Sequence, residues 1–262
     1  METSSRAYEE DVGVSSFGLV PVKNEGSAIT FDTEIQGFTT RYTHSTYGMG
    51  FIVTKEMFED DLYDVVGKRR AQGLAFSVKQ TLNTQGAYLF NNATTFIGAD
   101  GVGFLNDSHP NVAGGTQDNL SALTLSEAAL EAACIAIMKW TNDRGLRIQI
   151  LPQKLVVPPD LVFDAERILN SPLRSGTANN DLLALNSTGK FPGGIAVNHY
   201  FTNTTAWFIL TNCPDGTKCF MRRSPSFDMD NDFDTENAKF KATFRTSFGF
   251  TDWRSCYGYS TT

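Results

Sequence analysis

Residues suited to catalysis or metal binding are scarce in this 262-residue chain, which has three histidines and four cysteines. No two cysteines are spaced as C-x-x-C, so their scatter argues against a zinc site, and their low number suits a reducing compartment. No zinc-protease motif, phosphate-binding loop, nucleophile elbow or dinucleotide-binding fingerprint occurs in the sequence. We therefore predict no catalytic residue, no metal site and no cofactor.

Long hydrophobic runs and a basic surplus are also missing. The most apolar stretch, residues 128–140, is interrupted by Glu131 and is shorter than the ~18 residues of a membrane span. The N-terminus lacks the basic start and apolar core of a signal peptide, so we expect neither a membrane protein nor a secreted one. Lysine and arginine number 22 against 29 acidic residues. Specific DNA recognition is therefore not expected, although this charge is compatible with weak contact through one basic face.

Between residues 29 and 45 the sequence alternates between apolar and polar side chains. This alternation, interrupted by Gly37, predicts a two-stranded ribbon or a pair of sheet strands. Residues 1–21 show no strong period and are interpreted as an extended arm. A two-stranded ribbon is barely stable alone in water, so a neighbouring subunit must cover it if its own domain does not. The predicted subunit contacts are Ile29, Phe31, Ile35, Phe38, Arg41 and Tyr42.

A long helix is predicted from about residue 55 to residue 82. Thr54 is a suitable N-cap, acidic residues crowd the first two turns, and apolar residues recur at three- and four-residue steps. At ~1.5 Å per residue this helix is roughly 42 Å long, so it would act as a spine of the molecule. A basic run in its middle forms an exposed helix face or contacts phosphate, and consists of Lys68, Arg69 and Arg70.

The remaining sequence mixes loops, helices and strands without an internal repeat or an interdomain linker, which indicates an α+β fold. Residues 91–120 are rich in glycine, asparagine and aspartate and are predicted to be loop-like. Helices are predicted after a capping residue, Thr124, and over about 160–169. Strands are predicted at 147–150, 155–157, 206–210, 218–221, 238–246 and 253–257, the third and fourth joined as a hairpin by a turn at 214–216.

Several short motifs, in the same order as these elements, give the sequence a family resemblance. They are YGMGFIVTKE (47–56) leading into the aspartates at 60–61, GADG (98–101) followed by SHPN (108–111), LVVPP (155–159), GTANND (176–181), AWF (206–208), and RTSFG (245–249) leading into DWR (252–254). Together they cover roughly residues 20–260. In this order the chain resembles the Hong Kong 97-type major capsid proteins of tailed phages, and most closely the Mu-type major head subunits.

The resemblance implies a Hong Kong 97-type α+β fold in five parts. These are an N-terminal arm (1–21), an extended β-ribbon loop (22–50), a peripheral domain with the spine helix (51–120), an axial domain (121–200) and the C-terminal strands of the peripheral domain (201–262). Some relatives form covalent cross-links from a loop lysine. Lys23 lies near the loop base, but no motif matches that chemistry and no cross-link is predicted.

The function implied by the resemblance is that of a major capsid protein. Copies of the chain would assemble in the host cytoplasm into hexamers and pentamers of an icosahedral shell, and would reside in the virion. The implied partners are further copies of the chain, portal, scaffolding and decoration proteins, and packaged double-stranded DNA held by weak non-specific contact. Lys68, Arg69 and Arg70 would then be basic residues of the inner face.

Two alternatives stay open at the level of sequence. An encapsulin-like protein cage would share the fold but enclose enzymes. A cytosolic enzyme would need a site in the 98–111 loop, for instance from Asp100, Asp107 and His109. The solvent-exposed area of one subunit bears on the hypothesis of a shell protein. A compact monomer of 28.8 kDa exposes about 11,000 Å², and a subunit with a projecting arm and loop exposes more.

Overall fold

The structure, a computed structural model, describes residues 1–15, 17–60, 63–171, 184–232 and 234–261. The chain divides into two compact units, each assembled from three separate stretches. Unit 1 comprises Met1–Glu9, Arg41–Tyr88 and Lys218–Gly249. Unit 2 comprises Glu10–Thr40, Leu89–Thr217 and Phe250–Thr262. The five parts expected from the family resemblance have other boundaries and stay a prediction.

Both helices and strands contribute to the described residues, which confirms the expected α+β class. The α-helices are α1 (Lys55–Glu59), α2 (Tyr63–Asn91), α3 (Glu127–Lys139), α4 (Val162–Asn170) and α5 (Ala184–Ser187). The strands are β1 (Glu2–Thr3), β2 (Tyr8–Ser15), β3 (Ile35–Thr43), β4 (Ser45–Val53), β5 (His109–Pro110), β6 (Thr116–Gln117), β7 (Pro152–Val157), β8 (Ile195–Val197), β9 (Trp207–Thr211), β10 (Thr217–Asn231), β11 (Ala238–Phe250) and β12 (Cys256–Tyr259).

Unit 1 is built on a four-stranded sheet in the order β1-β10-β11-β4. Strands β4 and β11 pair antiparallel over nine residues each, and two aromatic pairs stack across the ladder, with ring centroids 4.8 and 5.0 Å apart. Helix α2 contributes Leu74 and Val78 to a small core that also holds Ala242 and Phe244 of β11. The sheet and the helix therefore cover one another's apolar faces.

Unit 2 holds the larger core around a second sheet in the order β12-β9-β7-β8. In its central strands β7 and β9, residues 155–157 and 207–209 form apolar runs because both faces of the sheet are buried there. Helix α3 packs Leu130 and Ile137 into the same core, where Trp207 of β9 is fully buried. The apolar face of helix α3 and the apolar strands of the sheet thus pack against each other.

The spine helix is confirmed, with different ends. Thr54 caps the short helix α1, accepting a hydrogen bond from the Met57 amide at 3.4 Å, and α2 continues nine residues beyond the predicted end at residue 82. The 29 residues of α2 make it about 43 Å long. The predicted cap of the next helix, Thr124, is wrong. Ser126 caps α3 instead, because its hydroxyl reaches the Ala129 amide at 3.2 Å.

The predicted ribbon is only partly correct. Residues 29–34 form no strand, and β3 pairs with β2 of the N-terminal arm rather than with a strand beginning at residue 29. Residues 147–150 are not a strand either. The turn at 214–216 connects β9 to β10, but these strands belong to different sheets, and β10 pairs with β11. The motif at 176–181 lies outside the described residues.

Candidate subunit-contact surface

An exposed apolar segment, residues 19–31, is the most conspicuous surface of unit 2. Every residue in it is exposed to solvent, and it forms no helix or strand. Val20, Val22 and Phe31 are each more than 90 % exposed, and Leu19 and Ile29 are also largely uncovered. Scattered exposed apolar residues are normal, but five within thirteen residues form a patch of the kind that marks an interaction site. The isolated chain leaves this exposed segment without a cover.

The base of the exposed segment is closed by hydrogen bonds to Asp32. The Gly18 amide donates to Oδ2 of Asp32 at 2.7 Å, which joins the two legs of the segment. Arg144 donates to the same oxygen at 2.5 Å and to Oδ1 at 3.3 Å, and also to the Thr33 carbonyl. These bonds hold the pKa of the Asp32 carboxyl well below its usual range, with the Arg144 hydrogen bond as the largest cause and the Gly18 amide next. The carboxylate is therefore ionised at any physiological pH.

The six residues predicted from sequence as subunit contacts fall into different environments. Ile29 and Phe31 are exposed, Phe38 is 38 % exposed, and Ile35 is half-buried. The guanidinium of Arg41 lies over the ring of Tyr8, 3.6 Å from the ring centroid, and both residues belong to unit 1.

Tyr42 is the exception, and here the structure corrects the prediction. Its side chain is buried and meets the edge of the Phe220 ring at a centroid distance of 4.9 Å. Gly249 lies directly against the Tyr42 ring, where an added Cβ would come within 2.8 Å of it. Tyr42 alternates in phase with Phe38, but pairing within its own unit removes it from the surface. We leave it out of the contact surface.

An apolar groove in unit 1 went unrecognised in the sequence. It is a cavity of about 510 Å³ between helix α2 and the β10–β11 hairpin. Leu74 and Ala75 come from the helix, while Phe227 and Met229 of β10 are more than half exposed above it. Its walls belong to segments some 150 residues apart, so no local pattern could reveal it. The groove is further lined by Phe51, Ala71, Gln72, Asp228, Phe240 and Lys241.

The basic run of α2 is solvent-exposed, which agrees with the prediction of an exposed helix face. Lys68, Arg69 and Arg70 all lie on the exposed helix surface. Arg70 donates to the Ile52 carbonyl at 3.0 Å. The inner-face role of these residues stays a prediction.

The 98–111 loop holds a buried polar cluster. Nδ1 of His109 lies 2.6 Å from a carboxylate oxygen of Asp100, and its Nε2 lies 3.0 Å from the Asn119 side-chain oxygen. The imidazole stacks on the Trp253 ring at a centroid distance of 4.4 Å and is fully buried, whereas Asp107 is exposed. A substrate has no access to the His109 ring. The cluster instead ties the loop to the C-terminal residues of unit 2, because the Asn119 amide donates to the carbonyls of Trp253 and Cys256.

Metal and thiol chemistry find little support in the described residues. Among them, no group of three or more His, Cys, Asp or Glu side chains is arranged to hold a metal ion. All four cysteines are free, and burial raises the pKa of Cys134 to about 11 and that of Cys256 further. Thiols held protonated in this way are poor nucleophiles. No helix of the described ranges is long and apolar enough to cross a membrane.

Comparison with known families identifies the role of this fold. The sequence matches the family model for phage capsid protein over residues 37–258, which is most of the chain. The chain belongs to the phage capsid protein family. A search of the curated proteins found no match. Its function is that of a major capsid protein, as the sequence resemblance implied, and the family assigns it a structural role.

Solved structures show the same fold in other capsid proteins. The capsid of Myoviridae Phage XM1 superimposes with a TM-score of 0.60 at 9 % identity, covering 100 % of this chain and 90 % of that one. The structure from Mycobacterium phage Che8 gives 0.53 at 12 % identity, covering 97 % and 85 %. A virus-like particle from Pyrococcus furiosus gives 0.51 at 9 % identity, covering 99 % and 89 %.

At such low sequence identities, the structural matches are evidence for the fold alone. They confirm the expected Hong Kong 97-type capsid fold. Because a virus-like particle shares that fold, the fold does not separate a phage head from an encapsulin-like cage. The family match does, and it favours the phage head. The closer likeness to Mu-type head subunits stays a prediction.

Proposed function

We propose that copies of this capsid protein close into an icosahedral shell of hexamers and pentamers, in which the exposed segment of each copy lies in the apolar groove of a neighbouring copy. The observation that carries the proposal is the exposed segment itself, with Val20, Val22 and Phe31 almost wholly in water. Burying such side chains contributes roughly 1.5–3 kcal/mol each. A subunit that leaves them uncovered gains that free energy only when a partner covers them.

The groove offers a chemically matched receptor for the segment. Its walls are mainly aromatic and aliphatic, and its charged lining residues are Asp228 and Lys241. The exposed segment carries one charge of each sign, Lys23 and Glu25, between its apolar residues. Apolar side chains can therefore enter the groove while the charges pair at its rim.

Other expected partners follow from the proposal with less structural detail. The basic residues Lys68, Arg69 and Arg70 would face the packaged double-stranded DNA, and a net charge of −7 would keep that contact weak. Portal, scaffolding and decoration proteins would complete the head, assembled in the host cytoplasm. No enzymatic role is proposed.

Substitution of the exposed segment tests the proposal. Phe31→Ser removes a side chain that contributes nothing to the folded subunit, so the melting temperature should be unchanged. Shell formation, followed by light scattering and electron microscopy, should need a subunit concentration roughly 10- to 100-fold higher. Phe227→Ser in the groove should have a similar effect, and Thr30→Ser, an exposed polar neighbour, should have none.

Normal shell formation by Phe31→Ser would contradict the proposal. Loss with Phe31→Ser but not with Phe227→Ser would retain the exposed segment and reject the groove as its receptor. Micrographs of the purified particles distinguish the functions, since small particles filled with protein instead of DNA would favour the cage.

A further inference from the structure

The exposed segment leaves unit 2 through a narrow base that a single arginine closes. Asp32 lies at the C-terminal end of the segment, and Gly18 at its N-terminal end. Their hydrogen bond holds the two legs together across fourteen residues of chain. A side chain at Gly18 would crowd this base, since an added Cβ would lie 3.2 Å from the Asp32 carboxylate and 3.3 Å from the Arg144 guanidinium.

The guanidinium of Arg144 donates hydrogen bonds to both residues that follow the segment, Asp32 and Thr33. Its two terminal nitrogens reach both carboxylate oxygens of Asp32 and the carbonyl of Thr33. The arginine side chain is 15 % exposed and that of Asp32 45 % exposed. A planar guanidinium suits three acceptors in this arrangement, whereas a lysine ammonium is a single point of charge.

The turn that carries Arg144 is itself anchored in unit 2. The Asn142 side-chain oxygen accepts hydrogen bonds from the amides of Arg144 and Leu146, at 3.0 and 2.9 Å. Gly145 completes the turn with a φ of +79°, a backbone conformation that suits glycine. The neighbouring Asp143 pairs at 2.9 Å with Arg254, which is buried. The guanidinium of Arg144 is thus presented from a fixed platform.

A closed base matters because docking a flexible segment costs conformational entropy. Ordering one residue of a free chain costs roughly 1–2 kcal/mol. Restricting the segment before it meets a partner removes part of this cost from the binding step, so the affinity for the partner increases. We infer that Arg144 is a positioning residue for assembly, which fixes the base of the exposed segment on Asp32 and Thr33 and presents the segment in one direction to a neighbouring copy. This inference rests on the proposed function, since it concerns the same segment.

The contact responds to salt more than to pH. Because the pKa of Asp32 is depressed, the ionised carboxylate stabilises the closed base at every pH above the ordinary value of 3.8, and the effect is lost only as the pH falls below it. Ionic strength screens the exposed side of this pair, so high salt should weaken the contact.

A double-mutant cycle on the full-length chain tests the inference. Arg144→Gln and Asp32→Asn each remove one side of the ion pair, and each should slow shell assembly roughly 10-fold while leaving the melting temperature unchanged. The double variant should be no slower than either single variant, because the two side chains act as one unit. Arg144→Lys should restore part of the rate. Arg147→Gln, a neighbouring exposed arginine, is the matched control and should assemble normally.

Hydrogen exchange at the Gly18 amide gives a readout that does not depend on assembly. In dissociated subunits this amide should exchange at least several-fold faster in Arg144→Gln than in the parent chain, and the Arg147→Gln control should match the parent. Equal exchange in Arg144→Gln and the parent, or additive effects on assembly rate, would overturn the inference.

The result for Phe31→Ser separates the two proposals. If Phe31→Ser prevents assembly while Arg144→Gln assembles at the parental rate, only the role of Arg144 fails. If Phe31→Ser assembles normally, the exposed segment is not the contact and the proposed function fails with it.

Discussion

His44 is buried in unit 1 between two serine hydroxyls. Its Nε2 lies 3.0 Å from Oγ of Ser4, and its Nδ1 lies 3.0 Å from Oγ of Ser247. Ser4 donates its only hydroxyl proton to Glu9 at 2.7 Å, so Nε2 must be the protonated nitrogen and Nδ1 the acceptor. Burial lowers the pKa of His44, and the charge of Arg245 lowers it further. Glu9 acts in the opposite direction, and Arg222 adds to the lowering.

This environment predicts that acid loosens the N-terminal strand. Because the pKa of His44 is lower in the folded chain than its ordinary value of 6.5, its contribution to stability is complete above pH 6.5 and is lost as the pH falls below it. Amides of β1 and Ser4 should therefore show weaker protection from hydrogen exchange at pH 5 than at pH 7.5, after correction for the intrinsic rates. His44→Gln should abolish the difference. Equal protection at both pH values in the parent chain would refute this role.

Gly103 shows how little space a backbone contact can leave. An added Cβ would lie 2.2 Å from the Thr94 carbonyl oxygen and 2.7 Å from its carbon, and neither atom belongs to a flexible side chain. Gly103→Ala should lower the free energy of unfolding by about 1–3 kcal/mol or more in a denaturant titration. Gly73→Ala in helix α2, where nothing lies within 4 Å, should instead raise it by about 0.5–1 kcal/mol. A neutral Gly103→Ala would mean that the two chain segments can separate.

Among the elements, the β4–β11 ladder depends on cross-strand aromatic pairs. Tyr47 and Phe244 face each other in register, with nearly parallel rings. Such pairs contribute beyond the area that they bury. In a cycle of Tyr47→Leu, Phe244→Leu and the double variant, we expect a coupling free energy of about 0.5–1 kcal/mol from unfolding of unit 1. The opposed pair Ile52 and Lys239, without stacking rings, is the control and should couple less.

Sequence predicted those elements whose evidence is local. The suitable cap at Thr54 predicted the start of α1, the apolar periodicity after it predicted the spine helix α2, and the apolar run at 155–157 predicted β7. Strand pairing is not local. The turn at 214–216 was recognised, but which sheet each flanking strand joins depends on residues far away in the chain.

The same limit applied to the contact surface. Alternation identified Ile29 and Phe31 as side chains that need a cover, and both are exposed. It could not reveal that Tyr42 has a partner in Phe220, nor that α2 and the β10–β11 hairpin enclose a groove. The arm was interpreted only as an extended segment, yet its residues 8–15 form the partner strand of β3. Each miss concerns a contact between residues distant in sequence.

At the scale of the whole molecule, assembly should change the accessibility of the exposed segment. Lys23 is exposed in the isolated chain and offers a trypsin site. We expect rapid cleavage after Lys23 in dissociated subunits and protection in assembled shells, measured by mass spectrometry of the fragments. Lys23→Gln should remove this cleavage and with it the two fragments that border Lys23, without altering the others. Equal cleavage in subunits and shells would place the segment outside every interface.

The interleaved units also constrain the order of events during translation. Strand β11 lies inside the sheet of unit 1, and the core of unit 2 contains Trp253, Cys256 and Tyr257. A nascent chain that has not yet reached residue 238 lacks part of both cores, so neither core can close until these residues have left the ribosome. Chains terminated before them would therefore be unable to fold or to enter a shell.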